Sequence, residues 1–93
     1  MRQYELIAIF PIEEEQHKAG RDKLIADLTA AGVEIEKTDE MGDRDLAYEI
    51  KKIRRGKYVL FSIKADGGKI EVLDKAFKLN SNLIRHLFVK KDE

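Results

Sequence analysis

Two stretches with the 3.6-residue period of a helix are each set between runs with the two-residue period of a strand, and that order leaves few folds open. Residues 4–10 place Tyr4, Leu6, Ala8 and Phe10 on one side and Ile7 and Ile9 on the other, a strand that is apolar on both faces. Pro11, the only proline, closes it, because proline has no N–H to continue a ladder. Glu13-Glu14-Glu15 puts negative charge where a helix N-terminus favours it, and His17, Leu24, Ile25, Leu28 and Ala31 follow as a helical stripe up to Gly32. Gly20 lies inside that helix and costs it about 1 kcal/mol relative to alanine unless packing offsets the loss. Val33 and Ile35 begin a second strand. The polar stretch 38–43 predicts a bulge or kink, after which Leu46, Tyr48 and Ile50 resume the alternation as far as Ile53.

Residues 57–65 return after a short basic segment, so the two strands form a hairpin. Asp66-Gly67-Gly68 breaks the chain and opens a second helix, with Ile70, Leu73 and Phe77 at i, i+3 and i+7, backed by Val72 and Ala76. Asn80-Ser81-Asn82 ends it, and residues 83–90 form a last strand. The order β-α-β-β-α-β is that of the ferredoxin-like α+β fold: a four-stranded antiparallel sheet with both helices on one face, each reached by a right-handed crossover. With 93 residues and no linker, repeat or low-complexity segment, the expectation is one domain over residues 1–93.

Two helices cover one face of such a sheet, yet most of these strands are apolar on both. An antiparallel sheet with a solvated face alternates more cleanly. Apolar surface left on the helix-free face is therefore a candidate protein-contact site, with Ile7, Ile9, Phe61 and Leu87 as its candidate residues.

The formal net charge is zero, but the charges are segregated. Residues 11–50 hold twelve acidic and five basic side chains, a balance of −7, and residues 51–93 hold five acidic and twelve basic ones, a balance of +7. Such asymmetry suggests a basic nucleic-acid face and an acidic solvated face. Its densest part is Lys51, Lys52, Arg54, Arg55 and Lys57, five cations within seven residues at the hairpin. Spaced along a two-stranded ribbon, they can follow a phosphate backbone, with Arg able to hold a phosphate bidentately. Lys52, Arg54 and Arg55 are the RNA candidates on this charge argument, and Arg2, Arg44 and Arg85 could extend the surface. The mode is not that of the RNA-recognition motif. In Arg55-Gly56-Lys57-Tyr58-Val59-Leu60-Phe61-Ser62 the basic-Gly start is present, but the aromatic slots hold Lys57, Val59 and Ser62.

Other function classes find little support. No apolar run approaches the roughly 20 residues of a membrane span, and Met1-Arg2-Gln3-Tyr4 lacks the apolar core of a signal peptide, so the cytoplasm is the expected location and no membrane partner is expected. The absence of cysteine excludes disulfides and thiolate metal sites. His17 and His86 have no spacing partner, Ser62 and Ser81 lie in no nucleophile elbow, and Gly67-Gly68 belongs to no phosphate-binding loop. An acylphosphatase shares the element order but needs an anion cradle where this chain has the acidic turn Pro11-Ile12-Glu13-Glu14-Glu15. No catalytic residue, metal or cofactor is expected.

The stretch Gly42-x-Arg44-Asp45-Leu46-Ala47-Tyr48-x-Ile50-Lys51 resembles the signature of the bacterial small-subunit ribosomal protein six family. Met1-Arg2-x-Tyr4-Glu5 is similar to that family's N-terminus, and Asn82-Leu83-Ile84-Arg85 to its final strand. The resemblance implies a structural ribosomal role. Members bind the central domain of small-subunit ribosomal RNA together with small-subunit ribosomal protein eighteen, with which they form a heterodimer. The apolar sheet surface would then take the protein and the basic edge the RNA, with Arg2, Arg44 and Arg85 on basic positions of the family pattern; no DNA partner is implied. The rival reading is a small-ligand regulatory domain of the same fold, whose open apolar face is buried by a second copy in a homodimer.

Overall fold

The computed structural model describes residues 1–50 and 53–91, the side chains of residues 47–50 excepted. Its elements are β1 (Arg2–Phe10), α1 (Glu14–Ala30), β2 (Glu34–Ile50), β3 (Ile53–Ala65), α2 (Gly67–Lys78) and β4 (Arg85–Lys90). The strands form one sheet in the order β2-β3-β1-β4, with every neighbouring pair antiparallel. Each helix therefore joins two parallel strands with a third strand between them. This is the ferredoxin-like arrangement that the element order predicts.

The core lies between the sheet and the helices. Tyr4, Leu6, Ala8 and Phe10 of β1 and Val59, Phe61 and Ile63 of β3 pack with Leu24 and Leu28 of α1 and Leu73 and Phe77 of α2 in one cluster. Both helices thus cover the same sheet face. Register explains the membership: Leu6 lies opposite Phe61 on one side and Phe88 on the other, so the three side chains share a face. Phe88 in turn stacks on Phe77, with centroids 5.8 Å apart. Fully burying each large side chain here is worth about 1.5–3 kcal/mol.

Phe61 therefore does not belong to the contact face on which the sequence placed it. It is wholly buried under the helices, and its neighbour Leu60, opposite Ile7, takes the helix-free side. Ile9 does face that side, but only 7% of it remains accessible. It is closed over by β3, where a Cβ built on Gly56 would sit 2.4 Å from Ile9 Cγ2. Glycine at position 56 is what lets Ile9 lie down against the sheet.

The ends of α1 follow from local chemistry. The Glu13 carboxylate caps the helix, accepting from the N–H groups of Glu15 (3.0 Å) and Gln16 (3.2 Å). At the other end Gly32 adopts φ 76°, its N–H donates to the Thr29 carbonyl, and the Val33 N–H donates to the Leu28 carbonyl, both at 3.0 Å. This is a Schellman stop, and the left-handed position is why a glycine stands there. Strand β2 is continuous through the polar stretch 38–43, but its register against β3 shifts between Ile35 and Lys37, between Glu40 and Gly42, and between Asp45 and Ile50. Gly42, at φ 82°, supplies the predicted bulge.

Gly20 has a packing reason. A Cβ there would sit 2.2 Å from the Asn82 carbonyl oxygen, so glycine admits the turn between α2 and β4 against the middle of α1. Asn80, 4% exposed, locks that contact: its Nδ2 donates to the Gly20 carbonyl (3.0 Å) and its Oδ1 accepts from the Asn82 N–H (3.1 Å). Helix propensity favours alanine at position 20 by about 1 kcal/mol, whereas forcing a methyl into a packed contact costs about 1–3 kcal/mol. Because the obstacle is backbone, packing wins. Gly20→Ala is expected to destabilise the chain by up to about 2 kcal/mol in urea unfolding, and a stabilised variant would refute the packing account.

Candidate nucleic-acid and protein interface

The helix-free face is graded along the strands. At one end lie Gln3, Glu5, Lys37, Asp39 and Lys64, and their charges are largely satisfied locally: Lys37 Nζ is 3.6 Å from Asp39, Lys64 Nζ is 3.7 Å from Glu36, and Lys91 Nζ is 3.9 Å from Glu5. The middle is an apolar belt. Leu60, Ile7 and Leu87 form one cross-strand row, and Val89 stands beside Leu87 on β4. Leu87 is 51% and Val89 42% exposed, whereas Ile7 and Leu60 are half-buried. Of the sequence candidates for this face, Ile7 and Leu87 lie in the belt, Ile9 is on its covered margin, and Phe61 is in the core. The belt residues missed were Leu60 and Val89. A signal for the first was present: Leu60 alternates with Ser62 and Lys64, whereas Phe61 alternates with Val59, Ile63 and Ala65.

The other end is cationic. Arg85 of β4 pairs with Ile9, which pairs with Tyr58, which faces Gly42. Beyond this row β1 stops at Phe10, opposite Lys57, while β2 and β3 continue as a ribbon in which Arg44 faces Gly56 and Asp45 faces Arg55. Strand alternation puts Arg44 and Arg54 on the side that continues the helix-free face. Arg55 turns to the other side, where its Nε is 3.2 Å from Asp45 Oδ1. Arg44 Nε donates to the Met41 carbonyl at 3.4 Å. The structure thus brings Arg44, Arg54 and Arg85 to one end of one face, with Arg55 on the reverse of the same ribbon. It does not bring Arg2 there. That residue pairs with Ala65 at the far end of β1, about 26 Å from Phe10 at 3.3 Å per residue. Lys52 lies outside the described residues.

Between the ribbon and the β1–α1 turn is a cleft of about 350 Å³, lined by Pro11, Ile12, Gln16, Ile53, Arg54 and Arg55 among others. A larger one, about 620 Å³, opens where α2 ends and β4 begins.

The groups with shifted titration serve structure. Asp74 is held below the usual carboxylate range by its hydrogen bond with His86 (2.7 Å) and then by that with Lys78 (3.1 Å). Glu40 is lowered by Arg21, to which it is hydrogen-bonded across the α1–β2 gap. His17 is lowered first by burial and then by Lys57 and Arg21; its ring meets Phe10 edge-on at 5.3 Å and its Nε2 has no hydrogen-bond partner. Among the described residues, no group of three or more His, Asp or Glu is placed to hold a metal ion, and no helix is long and apolar enough to cross a membrane.

The family model described as Ribosomal protein S6 matches residues 3–90. The chain is 50% identical over 93 residues to the small ribosomal subunit protein bS6 of Treponema denticola, covering all of both sequences. It is 44% identical over 95 residues to the bS6 of Halalkalibacterium halodurans, again over the full length of both. This chain belongs to the ribosomal protein S6 family. A crystal structure of 30S ribosomal protein S6 from Thermotoga maritima superposes with a TM-score of 0.85 at 26% identity, covering 97% of this chain and 87% of that one. The C-terminal domain of the MgtC protein from Mycobacterium tuberculosis superposes with a TM-score of 0.66 at 8% identity, a likeness of fold alone. S6 membership makes the chain a protein of the small ribosomal subunit, as the signature at Gly42–Lys51 implied.

The Asp74–His86 contact gives this S6 family member a pH signature. Asp74 ionises more readily folded than unfolded, so its contribution is complete above the ordinary carboxylate value of 3.8 and is lost as pH falls through the lower folded value. Asp74→Asn is expected to unfold at lower urea than the parent near about pH 7, with the gap closing toward about pH 2. A gap that stayed constant across that range would show that the contact acts through shape rather than charge.

Proposed function

We propose that the chain is a structural, non-catalytic component of the bacterial small ribosomal subunit, in the cytoplasm, that binds the central domain of small-subunit ribosomal RNA together with small-subunit ribosomal protein eighteen. The observation that carries this reading is the adjacency of an apolar belt and a cationic end on one helix-free sheet face, in a member of the ribosomal protein S6 family. The belt of Leu60, Ile7, Leu87 and Val89 takes the protein, and Arg44, Arg54, Arg55 and Arg85 take phosphates, joined by Lys52 and by Arg2 on a separate RNA segment. Because the belt and the cations adjoin, a partner seated on the belt would extend the basic surface and raise RNA affinity. An enzymatic reading has no such support, since Asp74, Glu40 and His17 each owe their shift to a packing or ion-pair contact.

Affinity for a central-domain RNA fragment, measured with and without the partner protein, tests cooperative assembly; equal affinities would refute it. Light scattering of the chain alone addresses the homodimer reading, which requires a dimer that persists on dilution. Arg54→Glu combined with Arg55→Glu is expected to weaken RNA binding and to flatten its dependence on salt by about the two counterions those contacts release. Both side chains are exposed, so the thermal transition should hold. An unchanged salt slope would move the RNA contact away from the ribbon.

A further inference from the structure

The larger cleft shares only Arg85 with the interface described above, and its features converge on one ligand class. Its volume, about 620 Å³, suits a small molecule or a single residue of a polymer rather than a helix. Its wall includes Leu79, the residue after α2, which is 80% exposed, the largest exposure among the described large apolar side chains. Leu83 lines the cleft as well and rests on the core, so two apolar side chains, one exposed and one anchored, face the same cleft. The shape is held from behind, because the side chain of Asn80 is committed to Gly20 and Asn82.

The charge of the lining favours an anion. Asp74 is the one acidic side chain among the described residues of the wall, and it is paired with Lys78 and hydrogen-bonded to His86. Arg85 then remains, with no carboxylate partner among the described residues. Position completes the argument. Arg85 stands on the edge strand β4, on the rim between the cleft and the cationic end of the sheet. Ile84, also in the cleft wall, lies near Gly56, where an added Cβ would be 3.7 Å from its Cδ1, and Gly56 faces Arg44 in the ribbon. A phosphate backbone lying along Arg44 and Arg54 therefore arrives at the cleft when it reaches Arg85.

We propose that this cleft is a second RNA site that holds one unpaired nucleotide, its base against Leu79 and Leu83 and its phosphate on Arg85. The inference rests on the RNA-binding reading and adds to it a preference for single-stranded over duplex RNA at this end of the molecule. Recognition of this kind is tolerant of sequence, because an apolar wall meets the face of any base and the charge meets only the backbone.

The test is amide NMR of the full chain titrated with a short single-stranded oligoribonucleotide, with adenosine monophosphate as a separate arm. The expected result is perturbation of residues 79–86 by the oligonucleotide at concentrations where the mononucleotide has no effect. Equal perturbation by the mononucleotide would make the site one for free nucleotides and overturn the RNA assignment. Perturbation confined to the ribbon would overturn the cleft and leave the RNA-binding reading standing, whereas no perturbation by this oligonucleotide or by a ribosomal RNA fragment would overturn both. Leu79→Ser, at a position too exposed to threaten folding, is expected to weaken oligonucleotide binding about fivefold, the size of one partly buried apolar contact, without changing duplex binding. Unchanged oligonucleotide affinity in that variant would remove Leu79 from the site and with it the proposal.

Discussion

The ladder between β1 and β3 runs from Arg2↔Ala65 to Phe10↔Lys57 without a shift, and this register decides which face of the sheet is core and which is left open. A slip of one residue would turn every side chain of β3 to the opposite face. Val59, Phe61 and Ile63 would leave the helices, and Tyr58, Leu60, Ser62 and Lys64 would be driven under them. Burying Ser62 and Lys64 without partners would cost several kcal/mol. The two polar residues therefore exclude the wrong register as effectively as the phenylalanine favours the right one. The same register sets Leu60, Ile7 and Leu87 in a row on the far side, so the apolar belt and the core are two consequences of one pairing.

The order and type of the elements were legible because each follows from a local period or a local stop: Pro11 after β1, Gly32 after α1, the Asp66-Gly67-Gly68 break before α2. Assignment of faces was legible only where one set of alternating residues was polar. In the middle of β3 both sets are apolar, Val59 and Phe61 against Tyr58 and Leu60, which is why the sequence alone put Phe61 on the open face; the deciding residues, Ser62 and Lys64, come later in the strand. Two other features depend on contacts between segments distant in sequence, and no local pattern announces them. Gly20 marks the approach of the turn at Asn80–Asn82, and Gly56 marks the place where Ile9 folds flat. In both cases the sequence shows a glycine inside a regular element, and only the tertiary partner tells whether it is a weakness or a requirement.

The segregated charge of the chain does not become two opposed faces. The acidic half contains β2 and the basic half contains β3, and these strands are neighbours. Asp43 faces Lys57, Asp45 faces Arg55, and Lys64 reaches Glu36. Much of the polarity along the sequence is thus cancelled across the hairpin. Exposed pairs of this sort contribute at most about 1 kcal/mol each to stability. Their larger effect is on recognition, since a cation already facing a carboxylate attracts a phosphate less than one that is not.

That cancellation leaves fewer cations without an acidic cross-strand neighbour than the basic count suggests. Arg44 faces a glycine across the ladder, and Arg85 lies on an edge strand beside Ile9, so neither has an acidic cross-strand neighbour. Arg55 must share its guanidinium with Asp45. Arg2, at the other end of β1, is too remote to share a phosphate with any of them. An RNA that touches both ends must either span the length of the strand or present two separate segments, and the apolar belt between them offers it no charge to follow. The belt is therefore better suited to a protein than to RNA, and on the proposed reading a continuous ribonucleoprotein surface requires that protein to carry the positive charge which the belt lacks.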